Sequence, residues 1–157
     1  MIVVESALPA IVGDAAGEDC AKMEHLHDDQ GRERDMLIDW NKLPKVKALR
    51  AGATRGAICG EKLSAVRVWA EPTAVFDGRL HHHEHEQLLV MLKGEIHLRV
   101  GDKDIVARPG DMVFFPPHTN HGATGVGPEG AEYYEIFSPA RTDQLPGWIG
   151  PSIMIYD

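Results

Sequence analysis

Two cysteines in 157 residues are too few for a disulfide framework, and Cys20 and Cys59 stand too far apart for any metal-ligand spacing. They read as reduced thiols. Excess positive charge is missing as well: the formal net charge is −8 at pH 7. No basic stripe is left to neutralise phosphates, which excludes nucleic acid and anionic membrane surfaces as expected partners. An anionic ligand would have to be held by a local positive centre. No apolar run is long enough to span a bilayer, and the stretch MIVVESALPAIVGDAAGEDC carries no basic region before its apolar residues. Neither a signal peptide nor a membrane helix is therefore indicated, and a cytoplasmic protein is the expectation. No set of spacings recurs, so no internal duplication is expected.

What is present amounts to one domain's length. Residues 1–50 are mixed and, early on, rich in acids, without a sustained period, and read as an irregular amino-terminal arm packed over the core or across a partner subunit. Within it, MLIDWNKLPKVKAL suits a short strand or a helical turn interrupted at Pro44. Over residues 51–157 the character changes to segments of four to seven residues rich in Val, Ile, Leu and Phe. They are separated by the turn signals EPTAVFDG, LKGE, VGDKD, RPGD, FPPHTN and GVGPEG. Short strands so punctuated predict an all-β antiparallel sandwich or barrel. Leu89, Met91, Met112 and Phe114 are the expected barrel wall.

The densest chemistry lies in HHHEHEQ, residues 81–87. Side chains two apart on a strand face the same way, so His81 and His83 can converge on one ion through bonds of about 2.1 Å. Gln87 would lie roughly 13 Å beyond His83 on a straight strand. It joins them only if residues 84–86 turn the chain back. A further ligand is offered by RPGDMVFFPPHTNHG, with a turn, an apolar strand from Met112 to Phe115, a Pro-Pro corner, and His121 opening the next strand. His118 sits in the corner itself; a strand start holds a side chain more rigidly, which ranks His121 first and leaves the choice open. His25 and His27 share the spacing without the strand frame and read as solvated surface.

The patterns G-x2-HHHEHEQ-x6-G, from Gly78 to Gly94, and PGD-x4-PPHTNHG, from Pro109 to Gly122, resemble the two motifs of the cupin superfamily. The resemblance covers roughly residues 52–142. It implies a double-stranded β-helix, the jelly-roll or cupin barrel, holding one divalent metal ion on His81, His83, Gln87 and His121. Imidazole and amide ligands suit Zn, Ni, Fe, Mn or Co. The commoner cupin ligand at the third position is glutamate. A neutral amide leaves the ion's full charge in place, which leans toward polarising a carboxylate or enolate oxygen.

A second resemblance is carried by E-x-F-SPAR-x-D, residues 135–143, which is similar to a segment of small cupins that ketonise unsaturated monouronates. It implies Glu135 as a proton-shuttling acid, Phe137 as a wall and Arg141 as a clamp on the substrate carboxylate. An ion pair of Arg141 with Asp143 on the surface is the plainer alternative. Glutamate stands here where that family has aspartate. The histidine placement and the acidic arm are also similar to cupin dimethylsulfoniopropionate lyases, but Leu89 occupies the position of their tyrosine base, and Tyr133 could replace it only by reaching the metal from another strand. Tyr133, Glu135 and Phe137 fall on one face of a strand, and His85 and His118 are further proton-transfer candidates. The expectation is a metal-dependent enzyme that moves a proton on a small anionic substrate by isomerisation, ketonisation or elimination. An Fe(II)-dependent dioxygenase and a non-catalytic binding module are the alternatives. A homodimer is the expected assembly, since such sandwiches commonly bury an edge sheet or an exchanged arm.

Overall fold

A computed structural model describes residues 37–156. Most of the arm expected over residues 1–50, with Cys20, His25 and His27, lies outside the described residues. The described part of that arm makes a turn near Trp40 and then β1 (Val46–Lys47), which adds to the sheet edge by pairing with β2 (Ala53–Cys59). The Trp40 ring lies 5.2 Å from that of Tyr134, so this stretch covers the outer face of the sheet.

Five more strands complete the fold: β3 (Ser64–Ala70), β4 (Glu86–Val100), β5 (Lys103–Ala107), β6 (Met112–Phe115) and β7 (His121–Ser138). All pairings are antiparallel, in the order β1-β2-β3-β7-β4-β5, with β6 also on β4. No helix forms among the described residues, and none is long and apolar enough to cross a membrane. The all-β antiparallel expectation holds, and the arrangement is a jelly-roll.

Two turn signals were not turns. LKGE and GVGPEG lie inside β4 and β7, of 15 and 18 residues, rather than between short strands. Gly94 and Gly130 adopt φ of 69° and 75°, and the β4–β7 ladder slips in register between Met91 and Ile96. A positive φ and an extra residue bend a strand without ending it. A Cβ on Gly94 would collide with the carbonyl of Gly130, so the two bends sit against each other. They fold one long ladder into two facing halves.

The inward face follows from the register, because residues opposite each other across an antiparallel pair point to the same side. One row runs through Phe115, Gln87, Phe137, Ser64 and Cys59; the next through Val113, Leu89, Glu135, Val66 and Ala57; a third through Met91, Tyr133, Val68 and Arg55. Leu89, Met91, Val66 and Phe137 are at most 2% exposed, each contributing roughly 1.5–3 kcal/mol by burial. The expected wall is corrected in β6. Met112 and Phe114 are 59% and 53% exposed, while Val113 and Phe115 point inward. Pairing of Gln87 with Phe115 fixes that phase, and four consecutive apolar residues gave no alternation from which to read it.

Candidate metal centre

The bent ladder sets the site. Gln87 is the second residue of β4, whereas His121 pairs with Val100 at its far end; on a flat ladder they would stand about 40 Å apart. Folded at Gly94 and Gly130, the two ends meet, with Gln87 Oε1 3.1 Å from His121 Nε2. The segment before β4 lies along the start of β7. His81 and His121 exchange backbone hydrogen bonds, N to O at 2.9 Å both ways, which puts their rings on one side with centroids 4.5 Å apart. The His118 amide donates to the His83 carbonyl at 2.8 Å. Bends at Glu84 and His85 then return the chain to Gln87, so that His83 Nε2 lies 3.0 Å from Gln87 Oε1.

One ligand atom from each of His81, His83 and His121 lies within 4.8 Å of the others. The hydrogen bonds decide what this group can hold. His83 Nδ1 donates to the His85 carbonyl at 3.1 Å, and His121 Nδ1 donates to the Thr119 carbonyl at 2.7 Å. Burial pushes His83 down to about 4, helped by the Arg141 charge, and burial likewise lowers His121. Neutral rings with Nδ1 protonated present bare Nε2 lone pairs. Gln87 Nε2 donates to Glu135 Oε1 at 3.0 Å, so the amide oxygen is aimed at the same point. Turning the amide over would set its oxygen against the Glu135 carboxylate. Acceptors thus converge with no proton between them, an arrangement that a cation satisfies. Backbone carbonyls holding Nδ1–H are the outer support usual for metal-binding imidazoles. The residues present fit a divalent ion.

His81 is pushed down to about 3 by burial and by the neighbouring His121 and His83. Phe115 supports His121 at a ring distance of 4.6 Å, and Phe137 meets the His83 ring edge-on at 5.8 Å. His118, exposed in the Pro-Pro corner with φ of 60°, stands outside the cluster. His85 is buried with its ring 5.5 Å from that of His83 and its Nδ1 unpartnered among the described residues.

A cavity of about 100 Å³ opens beside the cluster, lined by His81, Gln87, Tyr133, Glu135 and Arg141 among others. Burial raises Glu135 above the usual carboxylate range, against the charges of Arg141, Arg50 and Arg55. Burial and the Glu135 charge raise the Tyr133 phenol as well. Arg141 does pair with Asp143, but in the interior: Nε–Oδ1 is 2.8 Å, Nη2–Oδ2 is 3.0 Å, and both side chains are 2% exposed. Its guanidinium carbon also lies 4.9 Å from the Phe137 ring centroid. Arg50 and Arg55 line the cavity too and had no place in the motif reading. The signal was local: in ATRGAIC, the inward positions Ala53, Arg55, Ala57 and Cys59 include one charge among small residues.

Residues 71–137 match the family model described as a cupin domain. The chain is similar to an RmlC-like cupin from Shewanella frigidimarina NCIMB 400, with 30% identity and a TM-score of 0.58 over 69% of this chain and 94% of that one. It is also similar to KdgF from Halomonas sp., with 29% identity and a TM-score of 0.58 over 67% of this chain and 94% of that one. Oxalate decarboxylase from Bacillus subtilis, 20% identical with a TM-score of 0.54 over 65% of this chain and 28% of that one, shares the fold. None of the curated proteins matches the chain.

Proposed function

The chain belongs to the cupin superfamily, and from that premise we propose that it is a metal-dependent enzyme acting on a small carboxylate-bearing substrate by proton transfer, in an isomerisation, ketonisation or elimination. One observation carries the reading: Glu135 is a single hydrogen bond from the ligand set through the Gln87 amide and lines the same cavity as His81. A divalent ion held by His81, His83, Gln87 and His121 supplies Lewis-acid polarisation of a substrate oxygen.

The chain's residues supply the rest. Burial lifts Glu135 above the usual carboxylate range, against the charges of Arg141, Arg50 and Arg55, which is the direction that suits a carboxyl asked to hold and pass on a proton. Gln87 fixes which carboxylate oxygen is engaged. Tyr133, raised above the usual phenol range, stays protonated and serves as a donor to a substrate oxygen; a tyrosinate base is disfavoured there. Phe115 and Phe137 keep the ligand side dry, which strengthens each charge interaction inside.

The test is proton exchange without oxygen. Protein loaded with Zn or Ni is incubated anaerobically in D2O with five- and six-carbon keto, hydroxy and unsaturated acids, and the C–H beside the carbonyl is followed by proton NMR. Exchange is expected, and Glu135→Gln should lower it by about 100-fold or more while metal content is unchanged. Oxygen consumption by the Fe(II) form with no anaerobic exchange would place the chain among oxidoreductases instead.

A further inference from the structure

The cavity is cationic in an acidic protein. Its lining holds the guanidiniums of Arg50, Arg55, Arg79 and Arg141 against the carboxylates of Asp77 and Glu135, whereas the whole chain carries −8. Two of the four guanidiniums are already engaged. Arg79 Nε lies 2.7 Å from Asp77 Oδ2, and Arg141 is held by Asp143.

Arg55 is different. It stands on the inward row with Val68, Tyr133 and Met91, and its Nε is buried without a hydrogen-bond partner among the described residues. A buried donor left unmade is costly, and more so when charged, so the fold tolerates a position that an incoming acceptor would relieve. Arg50 enters from the turn between β1 and β2. Its guanidinium carbon lies 5.2 Å from the Phe76 ring centroid, and its charge acts on His81, His121 and Glu135. Both arginines precede the segment that matches the cupin domain, residues 71–137.

We propose that Arg55, assisted by Arg50, binds the substrate carboxylate at the end of the cavity away from the histidines, so that the substrate is a small acid with a second oxygen function at the metal end. This deepens the proposed function and rests on it for the word substrate. The rows of Gln87 and Arg55 are four residues apart along the strands, about 13 Å at the backbone, and both long side chains line the space between. A cavity of about 100 Å³ takes roughly seven to ten non-hydrogen atoms, at about 10–15 Å³ for each water-sized probe. That fits a keto or hydroxy acid of five or six carbons. Glu135, on the row between, would face the middle of such a molecule, where the exchanging C–H lies.

The test uses 4-oxopentanoate and its neutral carboxamide as probes on nickel-loaded protein, by titration calorimetry and ligand-observed NMR. The parent should bind the carboxylate at least about tenfold tighter than the amide. Arg55→Gln should abolish that preference, leave amide binding unchanged and leave the nickel-induced rise in melting temperature intact; Arg55→Lys should restore part of it. An unchanged carboxylate-to-amide ratio in Arg55→Gln, or no preference in the parent, overturns the proposal. The nickel response separates an unfolded variant from a folded one with a lost subsite. Failure of anaerobic proton exchange alongside an intact Arg55-dependent preference would reject the enzymatic reading and keep this one.

Discussion

Gln87 faces two ways: its amide nitrogen donates to Glu135 at 3.0 Å, while its oxygen sits 3.0 and 3.1 Å from the Nε2 atoms of His83 and His121. One side chain therefore links the histidine cluster to the buried carboxyl of Glu135. Changing it should alter both.

Gln87→Glu replaces a neutral ligand with a charged one and removes the donor to Glu135. Nickel should be held tighter, by about tenfold, because one unit of its charge is now matched, and small carboxylates should bind more weakly by a similar factor. Calorimetry with nickel and then with 4-oxopentanoate checks both directions. Unchanged affinity would show that the neutral amide does not strengthen the hold of a bound ion on the keto oxygen at the metal end.

Acid should weaken the metal-free protein early. His81 and His83 are pushed down to about 3 and about 4 from 6.5, so between pH 6.5 and about 4 the unfolded chain takes up protons that the folded one refuses. Unfolding gains by that uptake, and stability falls as pH drops through this window; above it these two groups contribute no slope. Melting curves of metal-free protein at pH 7.5, 6 and 5 test the sign. In the nickel-loaded protein the fall should continue below pH 4, since its ligands must stay deprotonated there as well.

The interior pair of Arg141 and Asp143 should matter most when broken on one side. Burial alone would raise Asp143, but the hydrogen bonds and charge of Arg141, with the Ile153 amide and the Ser152 hydroxyl, hold it below the usual range. Asp143→Ala leaves a guanidinium buried without a counter-ion and should cost about 3–5 kcal/mol in urea unfolding. The double variant Asp143→Ala with Arg141→Met should recover much of that.

Gly94→Ala should cost at least about 2 kcal/mol, because φ of 69° is strained for alanine and its Cβ would meet the Gly130 carbonyl. Gly101→Ala is the control. Gly101 also has positive φ, 54°, but nothing lies within 4 Å of a Cβ there, so only backbone strain should register.

The histidine cluster was legible because period-two spacing and a turn at residues 84–86 are local properties, and the chain does bend at Glu84 and His85. Where four apolar residues ran together in β6, the sequence held no alternation, and the phase came from pairing with β4. The same held for LKGE and GVGPEG: a glycine at positive φ ends a strand or bends it depending on whether a neighbour continues the ladder, which is decided by β7 for β4 and by β4 for β7. The pairing of Arg141 with Asp143, open in the sequence as a surface alternative to a substrate clamp, forms in the interior. Their burial depends on the chain from Ser138 to Ile155 crossing the barrel end, where Ile155 bridges His82. Arg55 was missed because a motif reading starts at the histidines.

The hairpin-like doubling of β4 against β7 ties coordination to cooperativity. Any excursion that peels the two apart near their ends moves Gln87 and His121 away from each other, so release of an ion held between them and fraying of the barrel would be one event. Amides at both ends of the ladder should then exchange with solvent in step, at a rate set by how long nickel stays bound.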